Sequence, residues 1–168
     1  MDRSSQAQVL GDQLPRKLDD GLRFAPLNCN HLSAVYRLAA ESFPAVWSEK
    51  EFAYFLAHEN RLCVGLLSDA PEGPRLRAYF LGLVVQGDLD IISIATRVED
   101  RRLGLAERLL RHVCMHQGVA RAFLEVEVDN EPAIRLYGKM GFERLGRRHA
   151  YYGPNRDAYL MRYLVPSR

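Results

Sequence analysis

The chain has 168 residues, 48% of them apolar and 26% charged, with a formal net charge of +2. That length fits one domain able to remove ~70% of its unfolded surface from water. The near balance of charge excludes the basic stripe of a general nucleic-acid binder, so no nucleic-acid partner is expected. No apolar run approaches the ~20 residues of a bilayer span, so no membrane partner is expected either. The polar residues 1–20 carry no apolar signal core and read as a flexible arm ahead of a domain over residues 21–168; a cytoplasmic setting follows. Cys29, Cys63 and Cys114 form no C-x-x-C pair and are expected to be buried, reduced thiols.

LRFAPL (Leu22–Leu27) alternates and stops at a proline, as a short strand does. Asn28 or Asn30 can cap a helix through HLSAVYRLAAESF, in which Leu32, Val35, Tyr36 and Leu38 recur at helical spacing. FPAVW breaks that pattern. Ser48 then opens a second helix with a capping box, Glu51 standing at its third position. RLCVGLLS and RLRAYFLGLVVQ make a hairpin around DAPEGP, and GDLD turns into a fourth strand, DIISIATRV. A helix follows with Ala106, Leu109, Leu110 and Val113 on one face. ARAFLEVEV is a fifth strand, and DNEP leads into a helix EPAIRLYGKM with Pro132 in its first turn and Gly141 ending it. Two last strands, ERLGRRHAYY and DAYLMRYLV, flank GPNR. A hairpin run followed by strand–helix–strand predicts one mixed α/β sheet with helices on its faces.

Between the fourth strand and the third helix lies RVEDRRLGLAE. A helix that starts just after a strand aims unpaired N–H groups and the positive end of its dipole beyond that strand. Gly104 lets an anion approach the backbone, and Arg101 and Arg102 add charge. The spacing matches neither a Walker loop nor G-x-G-x-x-G, and a solvated basic helix start is the competing reading. His112 and His116 stand at i, i+4 without a third ligand, so a surface pair rather than a metal site is expected. Cys114, mid-helix among apolar neighbours, reads as core. On the fifth strand Leu124, Val126 and Val128 point one way and Glu125, Glu127 and Asp129 the other. Glu127 and Asp129 read as a solvated acidic row.

IISIATRVEDRRLGLAERLL resembles the acetyl-coenzyme A motif of the GNAT superfamily, Q/R-x-x-G-x-G/A after the fourth strand. FLEVEVDNEPAIRLYGKMGF resembles its second half, and more narrowly the LEV…N…A-x-x-LY-x-x-GF run of RimI-like N-terminal acetyltransferases. FPAVWSEKEF is similar to that subgroup's FPWSE-x-x-F, with two residues inserted before the tryptophan, and RRHAYYGPNRDAYLM to its RR-x-YY…DA-x-x-M ending. The likeness covers Leu22 to Leu164 in consistent order. It implies the GNAT fold: a single mixed, mostly antiparallel seven-stranded sheet flanked by about four helices.

The same resemblance implies acetyl-CoA as cosubstrate, without a metal. Ile94, Ala95 and Thr96 would offer backbone to the pantetheine arm, and backbone N–H groups of Arg102, Leu103, Gly104, Leu105, Ala106 and Glu107 would hold the pyrophosphate. Asn130 would contact the cofactor, though it can equally cap the helix at DNEP. Glu125 would be the general base, its pKa raised by partial burial among carboxylates, and Tyr137, twelve residues on, the general acid. Core packing is the rival reading of Tyr137. Trp47, Tyr151 and Tyr152 would line the acceptor channel, although strand aromatics also pack. The implied acceptor is a protein N-terminus, the subgroup's type substrate being a small-subunit ribosomal protein. Ala106 replaces the more usual second glycine, and Glu107 and Glu127 stand where basic residues are common. Those departures and the Ala45–Val46 insertion bear on the acceptor. A GNAT enzyme acting on a small amine or lysine, and a non-catalytic acyl-CoA-binding module, remain as alternatives.

Overall fold

The structure is a computed structural model and describes residues 21–58, 61–115 and 118–166; the amino-terminal arm lies outside these. In chain order it runs β1 (Leu22–Pro26), α1 (Leu32–Ser42), α2 (Glu49–Ala57), β2 (Arg61–Ser68), β3 (Arg75–Val85), β4 (Asp88–Thr96), α3 (Leu105–Cys114), β5 (Arg121–Glu127), α4 (Glu131–Met140), β6 (Glu143–Arg148) and β7 (Ala158–Leu164). The seven strands form one sheet in the order β1-β2-β3-β4-β5-β7-β6. Every neighbouring pair is antiparallel except β4–β5. This is the mixed, mostly antiparallel sheet with four helices that the resemblance implied.

Both faces are covered, which is why β2 and β3 read as near-continuous apolar runs. On one face α1 and α2 bury Val35, Leu38, Phe52, Phe55 and Leu56 against Ala25, Cys63, Tyr79 and Leu81. On the other, α3 and α4 bury Leu109, Leu110, Val113 and Tyr137 against Phe24, Val64, Phe80, Leu89 and Leu124. α2 starts where its capping box places it: the Ser48 N–H donates to Glu51 Oε2 (2.7 Å), and the Glu51 N–H to Ser48 Oγ (3.3 Å).

Several boundaries differ from the sequence reading, each for a local reason. Asn28 caps a single 3-10 turn, Cys29–His31, and α1 begins only at Leu32. Val85 pairs with Asp88, and Gln86 and Gly87 both have positive φ (50° and 88°), a two-residue hairpin turn; β4 therefore starts at Asp88 rather than Asp90. β6 stops at Arg148 instead of reaching Tyr152. There Ala150 turns left-handed (φ 52°), and its N–H donates to Asp157 Oδ1 (2.8 Å). α3 buries Leu105 rather than Ala106. Cys63 and Cys114 are buried as expected, and burial pushes both thiols up to about 12. Cys29 is exposed, because it lies in the capping turn rather than on a packed face.

Truncating Leu109→Ala, at a side chain fully enclosed under α3, should cost about 2–5 kcal/mol in denaturant unfolding. Leu103→Ala, at an exposed side chain on the loop before that helix, should stay within about 0.5 kcal/mol.

Candidate active site

The site begins where the sheet fails to close. β4 and β5 pair in parallel over only three positions, Asp88–Arg121, Leu89–Ala122 and Asp90–Phe123, and then part. A register shift opposite β3 accompanies the parting: Leu81 faces Ser93 while Gly82 faces Ile91, so Ile92 is an extra residue on β4. Gly82 permits this close approach. A Cβ there would meet the Phe80 ring at 2.8 Å and the Asp90 carbonyl oxygen at 2.9 Å. From Ile91 to Thr96 the backbone of β4 has no ladder partner on the β5 side.

The gap widens into a cleft of about 430 Å³. One wall is the α1–α2 connection, Ser42 to Trp47, whose Phe43, Val46 and Trp47 pack with the α1/α2 core. The other is the start of α4, with Asn130, Ala133 and Tyr137 from the α3/α4 side. The cleft thus runs through the sheet from one face to the other. Between these walls stand Ile91–Ile94 of β4, Leu124–Glu127 of β5, and Tyr152 and Arg156 from the β6–β7 connection.

Glu125, Tyr137, Asn130, Trp47, Tyr152 and Ile94 therefore line one cleft. Asn130 also serves as the cap, its Oδ1 accepting from the Ala133 N–H (3.3 Å); Pro132 in the first turn has no N–H to satisfy. Tyr137 is buried, and burial, with Tyr152 nearby, raises its phenol well above the ordinary range, so it holds its proton. Burial likewise pushes Tyr152 up to about 12, and its hydroxyl donates to the main-chain carbonyl of Glu125 (2.9 Å). That bond fixes the strand carrying the carboxylate. Glu125 shares the cleft with Glu127, but its own partners are Arg148, with Nη2 at 3.3 Å, and a hydrogen bond with Tyr151. Tyr151 stands outside the cleft lining. It is half exposed, edge-on to Tyr152 at 4.9 Å, with the Arg148 guanidinium 5.5 Å above its ring.

Glu127 corrects the reading of a solvated acidic row. It is partly buried in the cleft, and a bidentate pair with Arg156 (2.6 and 2.9 Å) holds its carboxyl below the usual range. The strand alternation placed it correctly, but nothing local in the sequence announced Arg156, twenty-nine residues away. Arg148 was missed for the same reason, whereas the Ala45–Val46 insertion, read from the sequence as bearing on the acceptor, does line the cleft.

The loop before α3 stands apart from the cleft lining. Gly104 caps α3 in the left-handed region (φ 76°), and Arg102 is left-handed too (φ 66°). A non-glycine residue so placed costs on the order of 1–3 kcal/mol and persists only when its surroundings fix it. The earliest backbone bond of the helix runs from the Arg108 N–H to the Gly104 carbonyl (3.0 Å), so the preceding amides have no acceptor within the helix. Together with the exposed glycine they fit a diphosphate. The Glu107 carboxylate is engaged by Arg111 (3.0 Å) and by Lys139 of α4 (2.6 Å), tying the two helices together and leaving its backbone N–H for a ligand. Ala95 and Thr96 lie between loop and cleft, lining neither, on the same unladdered stretch of β4. His112 stacks on Phe24 (4.0 Å between centroids, 8° between planes); its expected partner His116 lies outside the described residues.

Three comparisons bear on this geometry. The profile of the acetyltransferase (GNAT) family matches residues 32–142. A Bacillus subtilis protein named putative [ribosomal protein bS18]-alanine N-acetyltransferase is 34% identical over 131 residues, covering 76% of this chain and 85% of that one. The crystal structure of the ribosomal-protein-S18-alanine N-acetyltransferase from Escherichia coli superposes with a TM-score of 0.79 at 28% identity, covering 88% of this chain and 96% of that one. Arabidopsis thaliana NAA60 in complex with acetyl-CoA has the same fold (TM-score 0.77, 20% identity, 86% and 98% coverage).

Gly104→Glu sets a like charge and a strained left-handed side chain at the mouth of α3. Calorimetric titration should show coenzyme A binding lost in that variant and its melting temperature nearly unchanged.

Proposed function

The chain belongs to the GNAT acetyltransferase family, whose members use acetyl-CoA, and from that premise we propose that it acetylates the N-terminal α-amino group of a protein, with Glu125 as general base and Tyr137 as general acid. The observation that carries this reading is that one cleft gathers both side chains between the unladdered edge of β4 and the α1–α2 wall. The names of the Bacillus and Escherichia relatives support a protein N-terminus as acceptor, and a ribosomal protein as its first candidate.

Acetyl-CoA supplies an activated acyl group; this chain's residues bind, align and move protons. The amides from Arg102 to Glu107 hold the diphosphate, and the β4 backbone at Ile94, Ala95 and Thr96 takes the pantetheine arm as an added strand. Asn130 borders that arm from the start of α4. The acceptor enters past Trp47 and Tyr152, with Tyr151 edge-on beside Tyr152. Glu125 removes the ammonium proton, directly or through water; the α-amine titrates near ~8, so a carboxylate needs modest help. The free nitrogen attacks the thioester carbonyl, and a β4 backbone N–H would stabilise the developing oxyanion. Tyr137 then gives its proton to the departing sulfur, a step worth ~100- to 10,000-fold, and the second proton shed by the acylated nitrogen restores the phenol, directly or through water. Holding both reactants in line supplies much of the remainder. A reducing cytoplasm suits three unpaired cysteines.

Glu125→Gln should depress turnover at neutral pH while leaving coenzyme A affinity intact, and Tyr137→Phe should lower kcat by ~100-fold or more. Because the Tyr137 phenol is held above its ordinary ~10, the wild-type kcat should show no alkaline fall from loss of that proton up to about pH 10. Thiol release should be fast with peptides carrying a free N-terminus and slow with N-blocked, lysine-containing peptides and small amines. A preference for small amines would replace this acceptor assignment, and binding without thiol release would make the chain a sensor.

A further inference from the structure

The left-handed Arg102 and Gly104 need something to hold them, and the neighbouring sequence supplies an unusual partner. Asp100, at the end of the 3-10 turn Val98–Asp100, is the one charged side chain that is fully buried among the described residues, at 2% exposure. It receives a bidentate contact from the Arg77 guanidinium on β3, and Arg77 Nη1 also donates to Ser68 Oγ on β2 (3.3 Å). The same turn is held twice more. The Arg97 N–H donates to the Arg77 carbonyl (3.0 Å), and Arg75 Nη2 of β3 reaches Glu99 Oε1 (2.9 Å). Two residues beyond Asp100 comes Arg102, and four beyond comes Gly104. Burying a carboxylate against an arginine brings little net stability but fixes one geometry, since each partner alone would be stranded.

We infer that the Arg77–Asp100 pair is the positioning device for the diphosphate loop: it clamps the turn to the middle of the sheet, so that the amides of Arg102–Glu107 are fixed before any ligand arrives. This rests on the reading of that loop as the coenzyme A diphosphate site. Neither residue touches the cofactor. The fork matters as well as the charge, because a planar guanidinium matches both carboxylate oxygens and an ammonium does not.

The test uses Arg77→Lys, which keeps the charge and loses the fork, and Asp100→Asn. Coenzyme A dissociation constants would be measured by calorimetry, and kcat/KM both with acetyl-CoA and with S-acetylpantetheine, which lacks the diphosphate and nucleotide. The expected result is coenzyme A binding weakened by about 10- to 100-fold. kcat/KM with acetyl-CoA should fall in step, and kcat/KM with S-acetylpantetheine should stay within about twofold, because the pantetheine track on β4 is untouched. Equal losses with both thioesters would mean general damage and overturn the inference, as would unchanged coenzyme A affinity in folded Arg77→Lys. Should Asp100→Asn fail to fold, Arg77→Lys carries the comparison alone. Wild-type protein that does not bind coenzyme A would sink the site reading itself, a result distinct from wild-type binding that the variants share.

Discussion

The central cleft of this molecule depends on two strands that stop pairing. A sheet normally satisfies each backbone polar group through its neighbour, and leaving a stretch unladdered is costly unless another partner or solvent takes its place. Here β4 and β5 share three register positions and then diverge, with the extra residue Ile92 bending β4 and Gly82 allowing the bend. The outcome is a passage through the middle of an otherwise closed fold, with an extended backbone edge on one side. A long, flexible thioester can lie along that edge as a strand would, and an amine can meet it from the opposite face.

The rest of the structure serves to make that passage rigid. Ordinary core packing on both faces fixes the sheet, and α4 is tied to α3 through Glu107 and Lys139. Charges that line the cleft are each given a partner: Arg148 for Glu125, Arg156 for Glu127. The two pairs differ in kind. Glu127 is gripped by two nitrogens of one guanidinium, whereas Glu125 has one longer contact with its arginine and a hydrogen bond with Tyr151. Tyr152 steadies the Glu125 backbone without occupying its side chain.

Much of the fold was legible because its signals are local. Ser48 and Glu51 announce a helix start within four residues, Gly141 a helix end, and the alternation of β5 assigns each side chain to a face. The helix start after β4 was legible for the same reason, its motif being contiguous. What stayed hidden was non-local or backbone in origin. The Arg156 partner of Glu127 and the Arg77 partner of Asp100 are separated from them by twenty-nine and twenty-three residues. The strand boundaries at Asp88 and Arg148 were set by left-handed turn residues, Gln86 and Ala150, that composition does not flag. One signal was present and went unread: a glycine inside the apolar run RLRAYFLGLVV marks a bulge or a close backbone approach, and Gly82 sits at both.

The central claim is that the open edge of β4 and the amides ahead of α3 form one continuous track for the cofactor. Amide hydrogen exchange with and without saturating coenzyme A measures it directly. Exchange should slow together across residues 91–96 and 102–107 and stay unchanged at β6. Protection confined to some other surface, with coenzyme A demonstrably bound, would contradict it.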